Sequence, residues 1–258
     1  MKYLTLAAAL SAAAFATTPA PAADASVKVA TGLDYSTGEY GDTESTDMLY
    51  VPVILSYRLF PFTAKLTVPY LQIDGPGNVV AGVDGGVVTG ESSVERRTES
   101  GLGDVVVAAM YSIDPWTDAA PMVDFTAKAK LPTADDDKDL GTGAADYSLQ
   151  VELARAFGDW TPFVTLGYQF MGQPDDFELD DRAYFSLGTD AKVNDTLRLG
   201  GGYDFKQAAS ATSDDASELM GYASIKLAAG TMLNLYGVKG LSDGSPDWGA
   251  GAQVSRRF

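Results

Sequence analysis

No cysteine and no histidine occur anywhere in the 258 residues. Without cysteine no disulfide framework holds the chain together. Without histidine there is no Ser-His-Asp triad, no imidazole metal ligand and no imidazole general base. Basic residues are scarce, 18 against 35 acidic ones, for a net charge of −17. That balance argues against nucleic acid as a partner, because such partners require basic patches. Long apolar runs are also missing. The only candidate, 4–16, falls well short of the roughly 20 residues that span a bilayer as a helix. It follows Met1-Lys2-Tyr3 and precedes Ala20-Pro21-Ala22-Ala23. A charged start, a short apolar core and a small-residue site are the order of an export signal. The expected organisation is therefore a cleaved leader over 1–22 and one domain over 23–258.

What the chain does have is alternation. Twelve stretches place apolar side chains on every second residue: 26–36, 48–58, 62–72, 103–113, 120–131, 147–157, 160–171, 182–193, 197–206, 218–227, 231–239 and a last one ending at Phe258. The stretch 197–206 is the cleanest, setting Leu197, Leu199, Gly201, Tyr203 and Phe205 against Arg198, Gly200, Gly202, Asp204 and Lys206. A period of two marks strands with one apolar and one polar face. Stretches of about ten residues suit tilted strands crossing the hydrocarbon layer. The connections alternate in length: 59–61, 114–119, 158–159, 194–195 and 228–230 are short, and 39–47, 74–102, 132–146, 172–181, 207–217 and 240–247 are longer. Short periplasmic turns and long extracellular loops give that rhythm in outer-membrane barrels. The predicted fold is all-β: a single antiparallel transmembrane β-barrel of about twelve strands in a bacterial outer membrane. The terminal aromatic Phe258, on a final amphipathic strand, is the expected membrane-insertion signal, read by the barrel-assembly machinery.

Several short segments carry a family resemblance. Gly101-Leu102-Gly103-Asp104, Lys130-Leu131-Pro132-Thr133, Leu140-Gly141-Thr142-Gly143 with Asp146, Val68-Pro69-Tyr70 and 240–246 resemble a family of bacterial outer-membrane barrels. Its members are linked to meta-pathway phenol degradation and described as transporters. The resemblance implies a barrel that admits small apolar or aromatic compounds, and it supplies no catalytic residues. The chain departs from such barrels at Arg256, third from the end, where an apolar or aromatic residue is usual. A cation at the periplasmic rim can snorkel to headgroups.

The polar faces of the stretches nominate pore-lining residues: Lys65, Asp124, Lys128, Lys130, Glu152, Asp190, Lys192, Arg198, Asp204 and Lys206. Because acids and bases interleave, one reading is a wet lumen whose charges neutralise one another. The other is a ladder of Lys128, Lys130, Lys192 and Lys206 that guides an anionic solute. In the acidic loops, Asp135, Asp137, Asp139 and Asp146 fall at positions 1, 3, 5 and 12 of an EF-hand-like loop. Leu140 stands where that loop needs glycine, so a solvated acidic rim competes with a cation site bridging to lipopolysaccharide. The Gly- and Val-rich loop 74–102 is either a constriction or a solvent-exposed loop. Barrel enzymes of the outer membrane rely on histidine, so an enzyme is not expected, and no cofactor or metal is implied. The expected function is a passive channel for a small molecule, with lipid and lipopolysaccharide as surroundings. The competing reading is a non-conducting structural or adhesion barrel working through its acidic loops.

Overall fold

The computed structural model describes residues 25–77, 79–82, 85–88, 96–135, 138, 140–174 and 178–258. The expected leader lies outside the described residues. The barrel strands are β1 (Ser26–Gly38), β2 (Thr46–Leu59), β3 (Phe62–Gly75), β4 in two pieces (Arg97–Leu102 and Val105–Ile113), β5 (Met122–Leu131), β6 (Asp146–Ala154), β7 (Trp160–Phe170), β8 (Arg182–Lys192), β9 (Leu197–Lys206), β10 (Ala216–Ala228), β11 (Thr231–Gly240) and β12 (Trp248–Arg257). Each pairs antiparallel with its sequence neighbours, and β1 pairs with β12 to close a twelve-stranded barrel. Closure leaves no unpaired edge along the wall, the condition for backbone in lipid. No helix among the described residues is long and apolar enough to cross a membrane.

The alternating faces resolve into an inside and an outside. Leu33, Val53, Leu55, Leu66, Leu149, Leu166, Leu187 and Leu199 are exposed on the outer wall. Their strand neighbours Ser56, Thr67, Asp124, Gln150, Thr165 and Asp190 are buried on the inner one. A soluble barrel would be built the other way round. Rings gird both ends: Tyr35, Tyr70, Tyr147, Tyr168, Phe170 and Trp248 toward the long loops, and Tyr57, Phe62, Tyr111, Trp116, Phe157 and Trp160 toward the short turns. Such belts sit at the two membrane–water interfaces.

Several boundaries differ from expectation, each for a local reason. β4 continues upward through Arg97–Leu102, a stretch expected to be loop. Its sequence, Arg-Thr-Glu-Ser-Gly-Leu, lacks apolar alternation because the strand stands beside the polar loops at the mouth. The two pieces are joined at a bulge: Thr67 opposes Val106 and Tyr70 opposes Leu102, so three steps along β3 match four along β4. The Gly103 amide donates to the Pro69 carbonyl at 3.0 Å. β6 ends at Ala154, earlier than expected, and Phe157 forms only an isolated bridge to Trp160. Within 74–102, the Val/Gly segments Val79–Gly82 and Gly85–Val88 pair as a small separate hairpin. At the β10–β11 turn, Gly230 sits at φ 74°, which favours glycine.

Candidate functional site

Four of the short motifs singled out in the sequence, those around Pro69, Asp104, Lys130 and Thr142, converge on one place inside the extracellular mouth. Ser242 and Ser245 of the segment 240–246 bond Ser217 elsewhere on the rim. The bulge is the extra residue that turns Asp104 inward, a common use of bulges in barrels. Its Oδ1 accepts the amides of Thr133 and Ala134, each at 2.9 Å, and its Oδ2 lies 3.2 Å from Lys130 Nζ. Lys130 Nζ also reaches Asp146 Oδ2 at 2.8 Å and donates to Thr142 Oγ1 at 2.5 Å. Asp146 Oδ1 in turn accepts the Gly172 amide at 2.9 Å, tying in the next extracellular loop. Lys130 and Asp146 are 0% exposed. Buried charges survive only when paired and hydrogen-bonded, and this cluster supplies both.

The cluster holds residues 133–134 and 140–144 against the inner wall. Leu140, fully buried, packs with Tyr40, Met48, Tyr50, Leu71 and Ile73, the inward apolar residues of the upper β1–β3 region. Gly101 and Gly141 make this possible: a side chain at the first would meet Leu140, and one at the second the Asp104 carboxylate. Toward the rim, Arg96 donates from Nε to Asp74 Oδ1 at 2.6 Å, from Nη2 to Asp47 Oδ2 at 3.0 Å and from Nη1 to the Ser45 carbonyl at 2.8 Å.

The sequence-nominated lining residues take distinct places. Asp124 and Glu152 face each other directly across β5 and β6, with Thr165 Oγ1 donating to Glu152 Oε2 at 3.2 Å. Lys128 is half-buried on the same wall, near enough to attract Glu152. Lys65 is half-buried on β3, opposite Ser56. Asp190 accepts from Arg198 Nε at 2.5 Å and from the Tyr222 hydroxyl at 3.1 Å. Asp204 accepts from the Ser186 hydroxyl and opposes Glu218 in register, and Lys206 is buried opposite Tyr184. Two members of the lysine ladder stand apart from it. Lys130 is enclosed by carboxylates and faces no open path. Lys192 shares the inward parity but sits at the periplasmic rim, 44% exposed, with its ammonium 2.7 Å from Asp195. Hydrogen bonding from that ammonium, then its charge, holds the Asp195 carboxyl below the ordinary carboxylate range.

The two described members of the EF-hand-like quartet, Asp135 and Asp146, take separate partners. Asp146 is consumed by Lys130 and the Gly172 amide, while Asp135 is exposed and pairs with Lys138 at 3.5 Å. Asp137 and Asp139 lie outside the described residues. Other loop acids serve as turn anchors: Asp181 Oδ1 accepts the Met171 amide and Asp215 Oδ1 the Ala208 amide, each at 2.8 Å. Phe258 exchanges backbone hydrogen bonds with Val27 and so lengthens the β1–β12 seam by one rung.

Reading the alternation did not single out Asp104, Thr142, Gln169, Arg182, Tyr184 or Tyr222. Arg182 Nε donates to Gln169 Oε1 at 2.5 Å, and the Tyr184 hydroxyl bonds Ser148 and Gln150, each at 3.0 Å. One signal pointed to Asp104. Leu102 and Val105 both belong outside yet are three residues apart, a parity that requires a bulge between them.

An apolar outer wall, two aromatic belts, a polar inner wall and a closed even-numbered sheet define an outer-membrane β-barrel. The chain belongs to the family described as "Putative MetA-pathway of phenol degradation", whose model matches residues 43–258. In fold it is similar to an outer-membrane channel from Pseudomonas putida F1, with TM-score 0.70 and 17% identity over 94% of this chain and 100% of that one. The NanC porin is similar at TM-score 0.54 and 11% identity, over 89% of this chain and 97% of that one. No curated protein matches the chain in sequence. The protein resides in the outer membrane.

Proposed function

We infer that the protein is a passive channel that lets a small molecule cross the outer membrane. The observation that carries this reading is the inverted wall: inward-facing acids, bases, amides and hydroxyls in an otherwise apolar sheet. A lumen lined this way favours water and polar solutes over lipid. Acids and bases both line it, with Lys130 and Arg198 paired to aspartates and Asp124 set against Glu152, so weak selectivity follows rather than a fixed cation ladder. The family's description and the inward rings of Tyr184, Tyr222 and Tyr236 support a small aromatic compound as solute. The Lys130 cluster holds residues 133–134 and 140–144 on one side of the mouth as a fixed sill. Chemistry is not the role of this site: the lining offers no histidine or cysteine. Residues 1–22 direct export, the terminal strand with Phe258 engages the assembly machinery, and lipopolysaccharide surrounds the acidic crown.

Liposomes loaded with impermeant sugar and carrying the folded protein test the reading. Swelling in isosmotic sodium benzoate, absent from protein-free liposomes, is expected to exceed swelling in a disaccharide of larger cross-section. Folded protein that leaves every solute excluded would instead favour the non-conducting adhesion barrel.

A further inference from the structure

Four inward aromatic rings share an arrangement that the lining charges do not explain. Tyr184 on β8 opposes Gly167 on β7, Tyr222 on β10 opposes Gly200 on β9, Tyr236 on β11 opposes Gly251 on β12, and Phe163 on β7 opposes Gly188 on β8. In each pair the far end of the ring occupies the space that a glycine side chain would fill. A ring standing upright on the wall would leave that space empty. These rings therefore lie along the inner surface, over the backbone of the neighbouring strand.

Two of them continue to the strand beyond. The Tyr184 hydroxyl, having crossed Gly167, bonds Ser148 and Gln150 on β6 at 3.0 Å each. The Tyr222 hydroxyl crosses Gly200 and bonds Asp190 Oδ2 on β8 at 3.1 Å. Tyr236 crosses Gly251 at the β11–β12 step, with the Asp34 carboxylate on the far flank of the same glycine. Glycine inside a strand lacks the β-propensity of its neighbours, and a cross-strand aromatic that covers it compensates. Here the cover faces the lumen, so its orientation governs how much cross-section remains.

We propose that Gly167, Gly188, Gly200 and Gly251 set the bore of this channel by letting four aromatic rings lie flat along its wall. These glycines are specificity-determining positions: a Cβ at any of them lifts its ring toward the axis and lowers the size limit for solutes. The inference rests on the channel reading and deepens it.

Unitary conductance in planar bilayers tests it, with heat-modifiable mobility on gels confirming the fold of each variant. Gly167→Val and Gly200→Val are expected to lose conductance, and Gly167→Val combined with Tyr184→Ala to regain it. Gly221→Val, on the outer face with no atom within 4 Å of the added carbon, is expected to match the wild type. If the glycine variants fail to fold, Tyr184→Ala alone decides. A ring already on the wall leaves conductance near the wild-type value when removed, whereas a marked rise means that it stands in the path and overturns the proposal. Conducting wild type with insensitive inner glycines, or a double variant that regains nothing, overturns this proposal alone. A folded, silent wild type overturns the channel reading beneath it.

Discussion

Lys130 holds two aspartates and a threonine from a position with no access to solvent. Lys130→Met leaves Asp104 and Asp146 buried without their counter-ion, which costs about 3–5 kcal/mol, the range for breaking one side of a buried pair. The expected readout is a lower temperature for the gel-mobility transition from folded to unfolded barrel. Adding Asp104→Asn and Asp146→Asn to Lys130→Met is expected to recover much of the loss, since no lone charge then remains. Recovery separates a charge effect from simple loss of packing. Arg96 makes an instructive contrast. Its carboxylate partners Asp47 and Asp74 are about one-third exposed, and exposed pairs contribute on the order of 0–1 kcal/mol. Arg96→Ala should therefore leave the transition almost unmoved.

Facing is a property of whole strands, and it predicts how substitutions depend on depth. Leu166 lies at the middle of β7 on the outer wall, and Leu227 lies at the periplasmic end of β10. Leu166→Arg is expected to destabilise by about 2–4 kcal/mol, and Leu227→Arg by only about 0–1, the depth profile for arginine facing lipid. Equal penalties in a folding titration from urea into lipid would contradict the assigned outer face. Most of this level was legible in the residues. The alternation in Leu197, Leu199, Gly201, Tyr203 and Phe205 needs no tertiary information to read. The upper half of β4 was hidden because Arg97, Thr98, Glu99 and Ser100 carry no period-two apolar signal where the strand leaves the lipid. Gly103 and Asp104 were legible as a motif, and the parity of Leu102 and Val105 called for a bulge there, but its partner, Pro69 on the neighbouring strand, was not legible. The contacts among Lys130, Asp146 and Leu140 were illegible for the same reason: the acid spacing left a solvated rim and a cation site as alternatives, and neither named Lys130 as the partner of Asp146.

At the scale of the whole molecule, a formal charge of −17 coexists with an inner wall where acids and bases interleave. The excess acid sits largely in the extracellular crown, where Asp181 and Asp215 cap turns. Ion selectivity then depends on the few lumenal cations that remain half-exposed, among them Lys128. Lys128→Glu is expected to shift the reversal potential in a salt gradient toward cation preference, and the same change at enclosed Lys130 to affect folding first. An unchanged reversal potential for a folded Lys128→Glu channel would place that side chain away from the conducting path. The central claim is that a closed, inside-out barrel encloses a continuous aqueous route. Single-channel recording of the folded protein in a planar bilayer tests this most directly. Discrete, ohmic steps that scale with salt concentration are the predicted result, and folded protein that inserts without producing any step would contradict it.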